Sequence, residues 1–400
     1  MTYTKYFNSA TIENMLKTPN IKWLRYSKDV IPLWLANPDF SIAPEIKEAL
    51  ITAVCSNDLY YNSDQCAREA MVKKILRVNK LCATLGDVML TQGVDPQIWL
   101  AIREACREGD EVVLTDPMYG EFNNTMETLR TKPVYWELES RDGYRFDSEK
   151  LKTLIGPKTR LICVCNPHNP TGRVMTKEEL KAIADVAVDH RIKVFVDELW
   201  EDIIFDGRPH VTLASLNPEI EALTSTGWGF SKTYGVAGLY LGYLCTTNKE
   251  MLGNFKRHAK CIQRGSSNLA RAAAPVMLDD TLDWWRREVM LHLHKIRKIC
   301  LKRFNAIPGV HFPTFEGTYV PFLRFDHRMT SQEMSDYLLN DAKIALTPGT
   351  NYGSKGEGYL RICIATSEGI INEVIDRMEA SLNKLNTPQP HRSRASMRTD

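Results

Sequence analysis

The sequence predicts an α/β protein with a mostly parallel, seven-stranded sheet in a three-layer α/β/α large domain, and a smaller α+β domain beside it. Three observations predict it. Short apolar runs recur at residues 87–91, 111–116, 134–136, 160–165, 193–197, 223–227 and 239–245. These runs are rich in Val, Ile, Leu and Cys and do not alternate, as expected of strands covered on both faces. The segments between them have helical period, and strand–helix repetition builds a parallel sheet between two helical layers. The chain, at 400 residues, is also too long for one ordinary core.

Taken in order, residues 1–44 are irregular, with Pro32, Pro38 and Pro44, and are expected to pack on the smaller domain. Residues 45–275 hold the seven strands and form the large domain. Within it, Thr176-Lys177-Glu178-Glu179 is a capping box that opens a helix. Leu180, Ile183, Ala184 and Ala187 follow on one face of that helix. The pattern changes near residue 270. Residues 280–303 read as a long helix containing Trp284 and Trp285, which suit packing between domains. Strand-like pieces follow at 319–325 and 359–364. A closing helix carries Ile371, Val374, Ile375, Met378 and Leu382 on one face. Residues 276–385 are therefore the small domain, and 386–400, polar with Pro, Ser and Arg, read as a disordered tail.

Composition excludes several function classes. Lys plus Arg number 51 against 49 Asp plus Glu, a net charge of +2, so no basic excess points to nucleic acid. No run of about 18 apolar residues indicates a membrane span. Met1-Thr2-Tyr3-Thr4-Lys5 lacks the apolar core of a signal peptide. Ten cysteines are scattered without framework spacing, as thiols of a reducing, cytoplasmic compartment would be. Cys163 and Cys165 alternate within a strand and His292 and His294 do not share a helix face, so no metal is expected. Residues 349–355 resemble a phosphate loop only superficially, because the glycine spacing is wrong.

Ligands of open α/β sheets bind outside the carboxyl ends of the strands. Five strand ends carry chemistry here. Gly93-Val94-Asp95 opens a helix whose free N–H groups suit a phosphate. Pro117-Met118-Tyr119 supplies an aromatic ring. Asn166-Pro167-His168-Asn169-Pro170-Thr171-Gly172 supplies an amide, Asp197 an acid, and Ser231-Lys232-Thr233 an amine. Lys232 can form a Schiff base with an aldehyde. Asp197 can pair with a ring nitrogen and make that ring an electron sink. Tyr119 can stack, and Asn169 can donate to a phenolate oxygen. Each element alone has an ordinary explanation as a solvated lysine, a helix cap or a turn. Their order and common placement at strand ends point to an anionic aromatic cofactor held through an amine.

These motifs resemble those of fold-type I pyridoxal-phosphate (PLP) enzymes of the class I/II aminotransferase superfamily over about residues 25–385. The resemblance implies that Lys232 holds PLP covalently and shuttles protons, while Asp197 pairs with the pyridine nitrogen. It further implies that Asn169 bonds the ring oxygen, Tyr119 stacks, and Arg361 in Gly358-Tyr359-Leu360-Arg361-Ile362 takes the substrate carboxylate. Tyr61, or equally Tyr60, matches the tyrosine that reaches a partner subunit's phosphate, which implies a homodimer with the active site at its interface. Trp34, Trp200 and Tyr234 are placed near the substrate by the same analogy. Several segments resemble cystathionine β-lyase-like C–S lyases: Asn20-Ile21-Lys22-Trp23, residues 32–40, Cys165 through Val174, residues 205–216, Ala237-Gly238-Leu239 and residues 347–353.

Three positions depart from the usual pattern. Tyr240 stands where transaminases carry an arginine on the phosphate; the lyase-like group also lacks that arginine. Trp200 stands where transaminases have Tyr and lyases His. Gly229 replaces a phosphate-binding Ser, leaving Gly93, Val94, Asp95, Ser231 and Tyr61 to hold the phosphate, with the Asp95 side chain expected to turn away or cap its helix. The residues permit an amino acid to undergo side-chain elimination or replacement, which Tyr240 and the lyase-like segments favour. Transamination and elimination followed by internal cyclisation are the alternatives. A catalytically inactive ligand-binding relative is opposed by the presence of Lys232, Asp197, Asn169 and Arg361.

Overall fold

The computed structural model describes residues 4–263 and 265–386. Past Asn386, the expected tail lies outside the described residues. The seven strands are β1 (Val88–Thr91), β2 (Glu111–Asp116), β3 (Lys132–Glu137), β4 (Thr159–Cys165), β5 (Lys193–Asp197), β6 (Thr224–Gly229) and β7 (Gly242–Cys245). They form one sheet in the order β1-β7-β6-β5-β4-β2-β3. All neighbours run parallel except β7, which opposes both β1 and β6. The seventh strand is shorter than its apolar run. Ala237–Leu239 forms a tight turn and Tyr240 sits at φ +47, a left-handed conformation that cannot continue a strand.

Burial explains why these strands do not alternate. Val113, Ile162, Val164, Val194 and Val196 face one core, against Leu180, Ile183, Ala184 and Ala187 of the helix Lys177–His190. That helix begins with the expected capping box. Val112, Leu114, Leu161, Cys163 and Phe195 face the opposite core with Ile98, Ala101 and Ile102 of the helix Asp95–Ala105. Helices cover both faces of the central strands, and the result is three layers, with the edge strand β3 largely exposed.

Register sets up the site. Cys165 pairs with Asp197, and Asp197 with Gly227, so three strand ends finish level. Buried Gln97 pins the helix Asp95–Ala105 above them. Its Nε2 donates to Thr91 Oγ1 at 2.7 Å and to the Trp228 and Tyr243 carbonyls at 3.2 Å. The helix can approach this closely because Gly227 lacks a Cβ, which would lie 1.9 Å from Gln97 Oε1.

A second, antiparallel sheet has the order Thr347–Pro348, Tyr359–Arg361, Phe322–Phe325, Val310–His311. Its strands are shorter than the apolar runs at 319–325 and 359–364; in the first, Pro321 directly precedes the strand and cannot donate to a ladder. Helices Asp283–Phe304 and Glu368–Asn386 pack beside it, and the first starts three residues later than its sequence pattern suggests. Trp285 donates Nε1–H to the Thr233 carbonyl at 2.9 Å, and Trp284 donates to Glu45 Oε1 at 2.9 Å. No helix among the described residues is long and apolar enough to cross a membrane.

The N-terminal segment joins this second sheet region. Ile31 and Pro32 pair in parallel with Ile344 and Ala345. The Leu33 carbonyl accepts from Cys363 N, and the Ala365 carbonyl from Asp39 N, both at 2.9 Å. A fully buried ion pair fixes the segment: Lys22 Nζ lies 2.9 Å from Asp39 Oδ2. Trp23 Nε1 donates to Asp39 Oδ1 at 2.8 Å, and Lys22 also donates to the Asn37 carbonyl at 3.0 Å. Lys22→Ala would leave a buried carboxylate half-partnered. It is expected to cost about 3–5 kcal/mol, measured by denaturant unfolding, whereas an unchanged midpoint would show that the pair is dispensable.

Candidate active site

Lys232 follows β6 through Phe230 and Ser231, and the chain around it is tied down. Thr233 Oγ1 donates to Asp202 Oδ2 at 2.9 Å, and the Lys232 carbonyl accepts from Tyr319 at 3.3 Å. The Lys232 side chain is held more lightly. Its Nζ donates to the Ala36 carbonyl at 2.9 Å and lies 5.5 Å from the centre of the Trp200 ring. Burial, reinforced by the Arg361 charge, lowers the amine to about 8. The neutral, nucleophilic form is therefore enriched on the order of a hundredfold at neutral pH relative to a free lysine. Covalent capture of a carbonyl compound by the cofactor-free protein is expected to rise with pH through a midpoint near 8. A stopped-flow pH profile climbing only near the ordinary lysine value would refute this.

Asp197 ends β5. Its Oδ1 accepts from Leu199 N at 3.0 Å, and Cys165 Sγ is 3.8 Å from Oδ2. Burial pushes the carboxyl up to about 7, and the Asp95 charge adds to this. Asp95 starts the helix after Gly93, whose φ of +91 favours glycine. Its side chain does not cap that helix. It accepts from Tyr119 at 3.4 Å and is felt electrostatically by both Lys232 and Asp197. Burial raises its carboxyl as well.

Arg361 completes the group from the second sheet. Nη1 donates to Asn169 Oδ1 at 3.3 Å, Nη2 donates to the Trp34 carbonyl at 3.0 Å, and the guanidinium stands 4.7 Å over the Tyr352 ring. Its Nε is buried without a partner, and among the described residues Arg361 makes no ion pair. A buried guanidinium resting only on neutral acceptors is matched to an incoming carboxylate.

The family model for aminotransferase class I and II matches residues 28–378. This chain belongs to that family. Aspartate aminotransferase of Pyrococcus horikoshii is 30% identical over 388 residues, covering 94% of this chain and 98% of that protein. Cystathionine beta-lyase PatB of Bacillus subtilis is 26% identical, covering 93% and 98%. The structure of cystalysin from Treponema denticola, which contains a pyridoxal 5'-phosphate cofactor, superposes with a TM-score of 0.89 at 25% identity, covering 95% of this chain and 99% of that one.

Pyridoxal phosphate is the cofactor of the class I and II aminotransferase family, and the residues assembled here fit it. A buried amine, a buried acid and an aromatic ring meet beside a helix start whose first turn carries no side-chain cap. Arg361 occupies Asn169 Oδ1, which leaves the amide Nδ2 free to donate to a ring oxygen.

The remaining expected positions separate. Trp200 is buried and meets Tyr319 edge-on at 4.7 Å between ring centres. Ser231 is half-buried next to Lys232. Trp34 serves the site through its backbone carbonyl. Its indole lies over the Arg25 guanidinium at 4.6 Å and donates to the Lys22 carbonyl at 3.2 Å, within the N-terminal segment. Tyr234 is buried and points its hydroxyl to the Met277 carbonyl. Tyr60, Tyr61 and Tyr240 are exposed on the surface. Sequence reasoning missed Ala36, Tyr319 and Tyr352. The first acts through a carbonyl, which has no residue-type signature; Tyr352 lay in a noted segment but was given no role.

A second buried cluster also stands close by. Ligand-type atoms of Glu198, Glu201 and His210 lie within 4.8 Å of one another. Lys74 already ion-pairs with Glu201. Glu198 Oε2 accepts from Thr212 Oγ1 at 2.9 Å and Trp228 Nε1 at 3.1 Å, with His210 Nε2 at 3.0 Å. An ammonium thus supplies the positive charge there. His168 is likewise structural. It sits between Thr115 and Thr171 hydroxyls, and burial lowers it to about 3, so it is neutral.

Proposed function

We propose that this protein is a PLP-dependent enzyme that binds an α-amino acid and eliminates or replaces a β- or γ-substituent of its side chain. The observation that carries amino-acid binding is one strap. The Trp34 and Ala36 carbonyls hold, respectively, the Arg361 guanidinium and the Lys232 amine, neither of which has a carboxylate partner in the site. Arg361 would grip the substrate carboxylate. Gly93, Val94 and Asp95 backbone N–H groups, with Ser231, would hold the phosphate, and Tyr119 would stack. Bound PLP supplies an electron sink for the pair left at the substrate α-carbon.

The chain's own residues then move protons. Asp197 keeps a proton between its carboxylate and the ring nitrogen. Lys232 Nζ takes the α-proton as general base. The resulting ammonium faces the Trp200 ring, whose π-face stabilises it by roughly 0.5–2 kcal/mol. From there it can deliver that proton to a departing β-substituent. Tyr240, exposed and unable to supply an arginine's charge, and the likeness to cystalysin and the cystathionine beta-lyase favour elimination. Transamination is the second reading, favoured by the 30% identity to an aspartate aminotransferase.

In this proposal residues 45–275 and 276–385, with 1–44 packed on the latter, are two domains flanking the site, and the active species is a cytoplasmic homodimer in which exposed Tyr61 or Tyr60 approaches the partner's phosphate. Ammonia counting tests the reaction. PLP-loaded protein is incubated with cystathionine, cysteine, alanine, aspartate, aromatic and basic amino acids, with no 2-oxo acid added. Many ammonia molecules per site support elimination. One 2-oxo acid per site with little ammonia would establish transamination instead.

A further inference from the structure

Asp116 is the last residue of β2, buried, and three positions before Tyr119. Its carboxylate is spent on the second-sheet side of the molecule. Oδ2 accepts from Ser354 Oγ at 2.6 Å and Ser354 N at 3.1 Å, and Oδ1 accepts from Lys355 N at 3.1 Å. The turn it grips is shaped for this approach. Gly353 has φ +125, and a Cβ there would fall 2.1 Å from Asp116 Oδ1. Three further contacts secure the same turn to the same sheet edge. Lys355 Nζ lies 3.0 Å from Glu137 and 2.8 Å from Glu139, and Met118 N donates to the Tyr352 carbonyl at 2.7 Å. Tyr352 carries the Arg361 guanidinium on its ring face.

A chain of contacts therefore runs from the large sheet to the second one and ends on the guanidinium. We infer that Asp116 is a positioning residue: by clamping the turn at 353–355 it fixes Tyr352, and through it Arg361, at a set distance from Tyr119 and the cofactor side of the site. Asp116 touches neither substrate nor cofactor. Its carboxylate accepts three hydrogen bonds from a single turn, and the turn gives up a side chain at 353 to allow it. The inference rests on the proposed amino-acid reading, because it assigns Arg361 to the substrate carboxylate.

The test compares the PLP-loaded wild type with Asp116→Ala and Asp116→Asn. The alanine variant is expected to raise KM for the amino acid about tenfold or more while kcat stays within about threefold, since a displaced guanidinium weakens binding of ground and transition states together. Asparagine, which keeps one acceptor oxygen, should lie between. The cofactor colour and stoichiometry should not change. An unchanged KM overturns the inference. So does a fall in kcat and bound cofactor at constant KM, which would mean a merely structural role.

Hydrogen exchange supplies an independent arm. The Ser354 and Lys355 amides should lose protection in Asp116→Ala, with exchange also rising around residues 349–352. Retained protection overturns the clamp whatever the kinetics show. If the wild type neither takes up PLP nor turns over any amino acid, the proposed function fails, and the exchange result alone then decides whether the clamp exists.

Discussion

Lys232→Ala is expected to lower turnover by at least ~10³-fold while the protein still folds and still takes up PLP non-covalently. Two proposed roles disappear at once. The amine that attaches to the cofactor aldehyde is lost, and so is the base that removes the α-proton. The surrounding framework does not depend on the side chain. Thr233 and Tyr319 hold the backbone through Asp202, Trp285 and the Lys232 carbonyl, and the side chain itself contributes one hydrogen bond to Ala36. The melting temperature should therefore change little compared with the loss of turnover. Single-turnover kinetics on PLP-loaded variant and wild type check the rate. Substantial remaining activity would show that another amine does this work. Lys74, the nearby buried alternative, is already committed to Glu201 and Asn79.

Arg361→Leu is expected to raise KM for any amino acid by ~10²–10⁴-fold, because two charge-assisted hydrogen bonds worth about 1.5–3 kcal/mol each are removed. Cofactor uptake should survive, as the phosphate, ring and amine contacts come from other elements. Asn169 Oδ1 loses its donor in this variant and the Trp34 carbonyl keeps only Thr347 Oγ1 at 2.8 Å, so a modest stability cost of about 1–3 kcal/mol accompanies it. A parallel series with amines lacking the carboxylate separates the effects. The variant and the wild type should treat such amines alike. Equal loss for acids and amines would show that Arg361 shapes the pocket and does not bind the carboxylate.

Much of this architecture was legible because burial on both faces leaves a direct mark on sequence. Four of the six neighbour pairs among β1–β7 join two strands whose apolar runs are unbroken, such as Val112 to Leu114 and Val194 to Val196; the other two involve β6, which is Thr-Ser-Thr-Gly-Trp-Gly. β7 was overextended at its start because Leu239 and Leu241 continue the apolar run, while the left-handed backbone at Tyr240 interrupts it. The strand-end residues were legible for a different reason. Each alone has an ordinary use, but Asn169, Asp197 and Lys232 follow successive neighbouring strands in chain order, and that shared placement is what the sequence displays.

What escaped was chemistry carried by carbonyls and by distant loops. Ala36 and Trp34 reach Lys232 and Arg361 across separations of 196 and 327 positions. No periodicity encodes such a meeting. Of the two arrangements expected of Asp95, the cap is not formed: Pro96 follows it and Tyr119 supplies its hydrogen bond. Asp116 read as the end of a strand and nothing more. Its role is visible only once the turn after Gly353 is folded against it.

The most direct test of the account is to reduce the PLP-loaded protein with borohydride, digest it, and map the modified peptide by mass. The protein should be yellow and bleach on reduction, with one cofactor per chain fixed on Lys232. A protein that stays colourless with added PLP, or a label on any other lysine, would contradict it.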